Sequence, residues 1–63
     1  MCLSIAYIDS DGRKEEVMEN VAQIEAQDDG FLLTGLFGEQ KFVQGRIKNI
    51  DFVNMHTVTF EKK

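Results

Sequence analysis

The segment RKEEVMENVAQIEAQ, residues 13–27, reads equally well as one helix or as strand. Val17, Val21 and Ile24 recur at helical spacing, and the glutamates favour a helix. Ala22, Ile24 and Ala26 also alternate with Gln23, Glu25 and Gln27, which suits a strand with one buried face. The flanks break the tie. Asp11-Gly12 precedes the segment and Asp29-Gly30 follows it, and Asp-Gly pairs favour hairpin turns that need positive φ. The reading adopted is two strands, with a turn at Glu19-Asn20.

Working outward, the rest of the chain repeats this grammar. Residues 2–9 alternate, with Leu3, Ile5 and Tyr7 on one side and Cys2, Ser4, Ala6 and Ile8 on the other. Residues 31–36 are apolar on both faces, as in a central strand. Short runs follow at 40–43 and 46–53, a turn at Asn54, and an alternating strand at 56–61. Short strands punctuated by glycine imply an all-β fold. The expectation is a single domain over residues 1–63: a small antiparallel, barrel-like fold of about six to seven short strands. Ile5, Phe31, Leu33, Phe42, Phe52 and Phe60 are its expected core.

At 63 residues the chain is short for an independent fold. Such a domain buries only about 60% of the surface its unfolded chain exposes. Small folds add disulfides, a metal or a partner chain. One cysteine excludes an internal disulfide, and no Cys/His cluster spells a structural zinc site. A homodimer is therefore expected. The lone thiol suits a reducing compartment, the N-terminus lacks a secretory pattern, and no apolar run approaches a membrane span. A cytoplasmic protein with no membrane association is expected. The net charge of −4 is uneven, at −6 over residues 1–30 and +2 over residues 31–63. An acidic chain without a dense basic run argues against backbone-driven nucleic-acid binding.

Catalysis finds little support. There is one His, one Cys, no nucleophile motif and no phosphate-cradling glycine loop. Asp9, Asp11, Glu15 and Glu16 do not match a calcium loop and read as a solvated hairpin tip. His56 reads as a residue at a strand start. Cys2 differs because of its place in the chain. Its thiolate lies beside the Met1 amine and its own amide nitrogen, or beside its own amine if Met1 is removed. Such nitrogen and sulfur donors favour square-planar ions, Ni(II) or Cu(II). One chain supplies two or three donors, and a two-fold dimer with both N-termini near the axis would complete an N2S2 set around one shared ion. Against this stands the ordinary role of a single Cys as a small apolar residue.

Three stretches then carry a family resemblance: Met1-Cys2-Leu3-Ser4, Thr34-Gly35-Leu36-Phe37-Gly38-Glu39, and Val43-Gln44-Gly45-Arg46-Ile47-Lys48-Asn49-Ile50-Asp51-Phe52. Together they resemble the CooT family, small accessory proteins of nickel-dependent carbon monoxide dehydrogenase. The resemblance spans essentially the whole chain. It implies a small all-β homodimer that is not an enzyme and that binds Ni(II) through Cys2, with Met1 as the neighbouring donor. It further implies a role in nickel delivery to, or maturation of, that dehydrogenase. It favours strands for residues 13–27 and assigns no ligand role to His56. The alternatives are an Sm-like RNA-binding barrel using Lys41, Arg46, Lys48 and Phe37, and a general interaction module in which Cys2 is incidental.

Overall fold

A computed structural model describes residues 3–62. Six strands form one sheet: β1 (Ser4–Ser10), β2 (Arg13–Gln27), β3 (Gly30–Gly35), β4 (Gln40–Gln44), β5 (Arg46–Asp51) and β6 (Thr57–Glu61). The lateral order is β4-β3-β2-β1-β6-β5. The all-β expectation and the strand number hold.

Residues 13–27 form strand, but one continuous strand rather than two. Asn20 does not reverse the chain. It takes a left-handed conformation (φ 57), which Asn tolerates better than most residues, and ladder register shifts occur nearby, between Val21 and Gln23 on the β3 side. The result is a bend. The first half of β2 pairs with β1 and the second half with β3, and Val21 takes part in both ladders. A straight strand of this length would run roughly 46 Å, whereas the longest dimension of the molecule is 31 Å. Bending is obligatory.

Gly45 imposes a second constraint. It alone separates β4 from β5, the two edges of the sheet. In a flat sheet those edges would stand roughly 24 Å apart, yet two peptide units reach at most about 7.6 Å. The sheet therefore curls until its edges meet at Gly45. Its N–H donates to the Asp29 carbonyl at 3.3 Å.

Two details correct the expected antiparallel barrel. No ladder joins β4 to β5, so the sheet is not closed. A register shift between Ile47 and Asn49 marks an irregularity in β5, and such irregularities bend a strand away from regular pairing. The β1–β6 ladder, moreover, is parallel, pairing Ile5 with Thr57 and Ile8 with Phe60. First and last strands escape the hairpin rule because all the intervening chain serves as their crossover.

The core is Ala6, Val21, Leu33, Val43, Val58 and Phe60, with Ile8, Val17, Met18, Ile24 and Phe31 packed against it. The Phe31 and Phe60 ring centroids lie 5.4 Å apart. Leu33, Val58 and Phe60 are fully buried, each contributing about 1.5–3 kcal/mol. Three expected core residues are elsewhere. The buried face of β1 is Ser4 and Ala6, so strand alternation places Ile5 on the other face. Phe42 pairs with Leu32, while its neighbour Val43 pairs with Phe31 and enters the core. Phe52 lies just past the end of β5.

Replacing Gly45 tests the seam. Its φ is 147, and an added Cβ would sit 2.3 Å from the Glu61 carbonyl oxygen. Gly12 also has positive φ (77) but open space around it. Urea unfolding should show Gly45→Ala losing about 2 kcal/mol or more, and Gly12→Ala losing only about 1–2 kcal/mol.

Candidate functional site

Met1 and Cys2, the expected metal donors, lie outside the described residues. The structure does define the ground next to them. Ser4 opens β1, is buried, and pairs with Val21 of β2. On the other side, the Ile5 N–H donates to the His56 carbonyl at 3.0 Å. The chain leaving Cys2 is thus gripped from both flanks within three residues.

An open groove of about 210 Å³ lies beside Ser4, lined chiefly by Val21, Ile24, Ile50, Phe52 and Val58. Apolar exposure continues along the β5–β6 connection, with Phe52 at 59%, Val53 at 87% and Met55 at 64%. Isolated exposed apolar residues are ordinary, but three among the four consecutive positions 52–55 make this connection a candidate contact surface.

The β5–β6 connection is held by Asp51. Its Oδ1 accepts the N–H groups of Val53 and Asn54, both at 3.0 Å. The Asn54 N–H first, and the Val53 N–H next, hold the Asp51 carboxyl below its ordinary value of 3.8; the charge of His56 adds a smaller effect. His56 ends this connection, immediately before β6, with φ 52. Its Nδ1 is buried without a hydrogen-bond partner, a condition that costs about 1–3 kcal/mol when nothing compensates. The expectation that His56 sits at a strand start holds. Its orphaned nitrogen had no signal in the sequence, because it depends on which strand flanks β6.

Among the described residues, no three His, Cys, Asp or Glu side chains gather as a metal-binding group. The acidic residues of the β1–β2 hairpin border a different feature, a polar cleft of about 430 Å³ lined by Asp9, Asp11, Lys48, Glu61 and Lys62 among others. There Lys48 Nζ donates to Asp9 Oδ2 at 2.6 Å, and Arg46 Nε donates to Glu61 Oε2 at 2.6 Å. The Asp9 hydrogen bond, followed by its charge, raises the Lys48 pKa. Two of the three cations proposed for RNA are therefore committed to carboxylates. Phe37, 84% exposed, sits apart from them in the β3–β4 turn, where its N–H donates to Glu39 Oε1 at 3.1 Å.

A family model described as CO dehydrogenase accessory protein CooT matches residues 1–61. No curated protein matches. A crystal structure of a candidate CooT from Carboxydothermus hydrogenoformans is similar at a TM-score of 0.88 and 27% identity, covering 98% of each chain.

The hold of Asp51 on its loop can be read by acid titration. Its folded value lies below its unfolded value, so its stabilising contribution is complete above 3.8 and is lost as pH falls through the lower folded value. The Val53 and Asn54 amide proton resonances should move together with a midpoint below 3.8. In Asp51→Ala that titration should vanish and both amides should exchange faster with solvent.

Proposed function

Because the chain belongs to the CooT family of CO dehydrogenase accessory proteins, we propose that it binds Ni(II) as a homodimer and serves nickel insertion into that enzyme. One ion is shared by two Cys2 thiolates and the amine or amide nitrogens beside them. The observation that carries this reading is the match over residues 1–61, which includes Cys2. Nickel(II) with such donors is a soft-ligand site suited to holding and passing on an ion rather than to turnover. The surroundings are compatible with such an ion, since His56, immediately before the strand next to β1, carries an unpartnered imidazole nitrogen.

The dimer has its own support. The groove beside Ser4 and the exposed Phe52, Val53 and Met55 adjoin the strand that leads from Cys2. A stable interface takes about 800 Å² from each partner, and pairing through this surface would bring two N-termini toward one axis. A two-fold contact of this kind makes the interface part of the site. The RNA reading gains nothing here, because Arg46 and Lys48 are paired to acids.

Isothermal titration of the full chain with Ni(II) should give one ion per two chains. Cys2→Ser should weaken binding at least about 100-fold, more than the 10–100-fold typical of an outer-shell loss; unchanged affinity would sink the nickel reading. Val53→Glu should shift sedimentation from dimer to monomer and weaken nickel binding with it. A Val53→Glu protein that stays dimeric would place the interface elsewhere.

A further inference from the structure

Phe37 is the most exposed aromatic side chain among the described residues, at 84%. A single exposed apolar residue is ordinary, but the turn that carries this one is closely built. All four amides from Gly35 to Gly38 have acceptors. Gly35 N–H donates to the Glu39 carbonyl at 2.8 Å, Leu36 N–H to the Asn20 carbonyl at 3.0 Å, and Gly38 N–H to the Gly35 carbonyl at 3.1 Å. Phe37 N–H donates to Glu39 Oε1 at 3.1 Å. Two glycines permit this arrangement. Gly38 has φ 89, and a Cβ on Gly35 would collide with the Glu39 carboxylate that holds the Phe37 amide. The backbone is thus fixed on both sides of a phenylalanine that takes no part in the core.

A backbone held in this way has little freedom left to lose when a partner covers it, and aromatic residues are enriched at the centres of protein interfaces. Leu36, 44% exposed, extends the apolar tip. Neither residue lines the groove beside Ser4, the surface assigned to the dimer. The neighbouring charges are mainly acidic. Glu39 lies in the turn and the exposed Glu19 precedes Asn20, the residue that holds Leu36, against one cation, Lys41. The chain as a whole carries −4. Acids beside an aromatic tip disfavour a phosphate-rich partner and suit a protein pocket with an apolar floor and a Lys or Arg edge. We propose that the β3–β4 turn is the docking element for the client enzyme, Phe37 inserting into such a pocket on CO dehydrogenase. This rests on the reading of that enzyme as the client and adds the surface that meets it.

Isothermal titration of the full chain into purified, nickel-free CO dehydrogenase tests this. Phe37→Ser should weaken binding about 30-fold, as loss of a hot-spot side chain does, and should keep the wild-type urea midpoint because the ring is exposed. Gly35→Ala keeps the ring but displaces the Glu39 carboxylate, so the Phe37 amide should exchange faster and binding should weaken. Glu19→Lys should weaken binding and flatten its salt dependence. If Phe37→Ser binds as wild type does, the proposal falls and the client reading stands. If the wild-type chain does not bind the enzyme, the client reading falls and the proposal with it. If Phe37→Ser turns a dimeric wild type into a monomer, the ring belongs to the contact between copies and the proposal is overturned.

Discussion

Gln44 and Arg46 belong to opposite edges of a six-stranded sheet, and one residue separates them. No flat sheet satisfies that connection. The curl it enforces brings β5 and β6 over the core side of β2 and β3. It also demands a residue whose amide reaches Asp29 and whose Cα faces the Glu61 carbonyl at φ 147. Only glycine meets both demands without displacing backbone. The bend in β2 answers the same need from the opposite side of the sheet, since a long central strand has to turn with the curl. Asn20 provides that turn while keeping its carbonyl engaged, accepting the Leu36 N–H at 3.0 Å.

The curl also sorts the surface. Next to Gly45, charged residues pair across strands that are distant in sequence, as in Lys48 with Asp9 and Arg46 with Glu61. Such exposed pairs contribute little to stability, typically under about 1 kcal/mol each, but they occupy the cations. Next to Ser4, the unclosed seam leaves Ile50 and Phe52 beside Val21 and Ile24 with an open groove between them. A closed barrel would have buried these residues. Leaving the sheet open therefore trades core for an apolar surface at the end where the chain begins, and a second chain can recover that loss.

Much of this was legible from residue order alone. The turn at Gly12, the turn just before Gly30, the alternation in β1 and the apolar run in β3 all specify local geometry, and local geometry is what sequence patterns encode. The even contest over residues 13–27 had a physical basis. A bent strand that serves two neighbours buries different faces along its length, so neither period runs cleanly through it. Phe42 and Phe52 were misplaced because aromatic size suggested core, while register decided their faces. The orphaned nitrogen of His56 and the Lys48–Asp9 pair depend on tertiary neighbours, and no spacing rule reaches them. Cys2 stands two residues before the buried Ser4 but outside the described residues, and its chemistry is read from the sequence.

The proposed role bears on where β1 sits. Ser4 pairs with Val21 of β2, and the Ile5 N–H donates to the His56 carbonyl just before β6, so the strand that follows Cys2 is held on both sides. An ion bound through Cys2, as proposed, would have its place relative to the apolar groove beside Ser4 fixed by those ladders. A donor inside a central strand would tie release of the ion to the breaking of ladder bonds on two sides, whereas a donor ahead of β1 would leave the ladders of Ser4 and Ile5 intact.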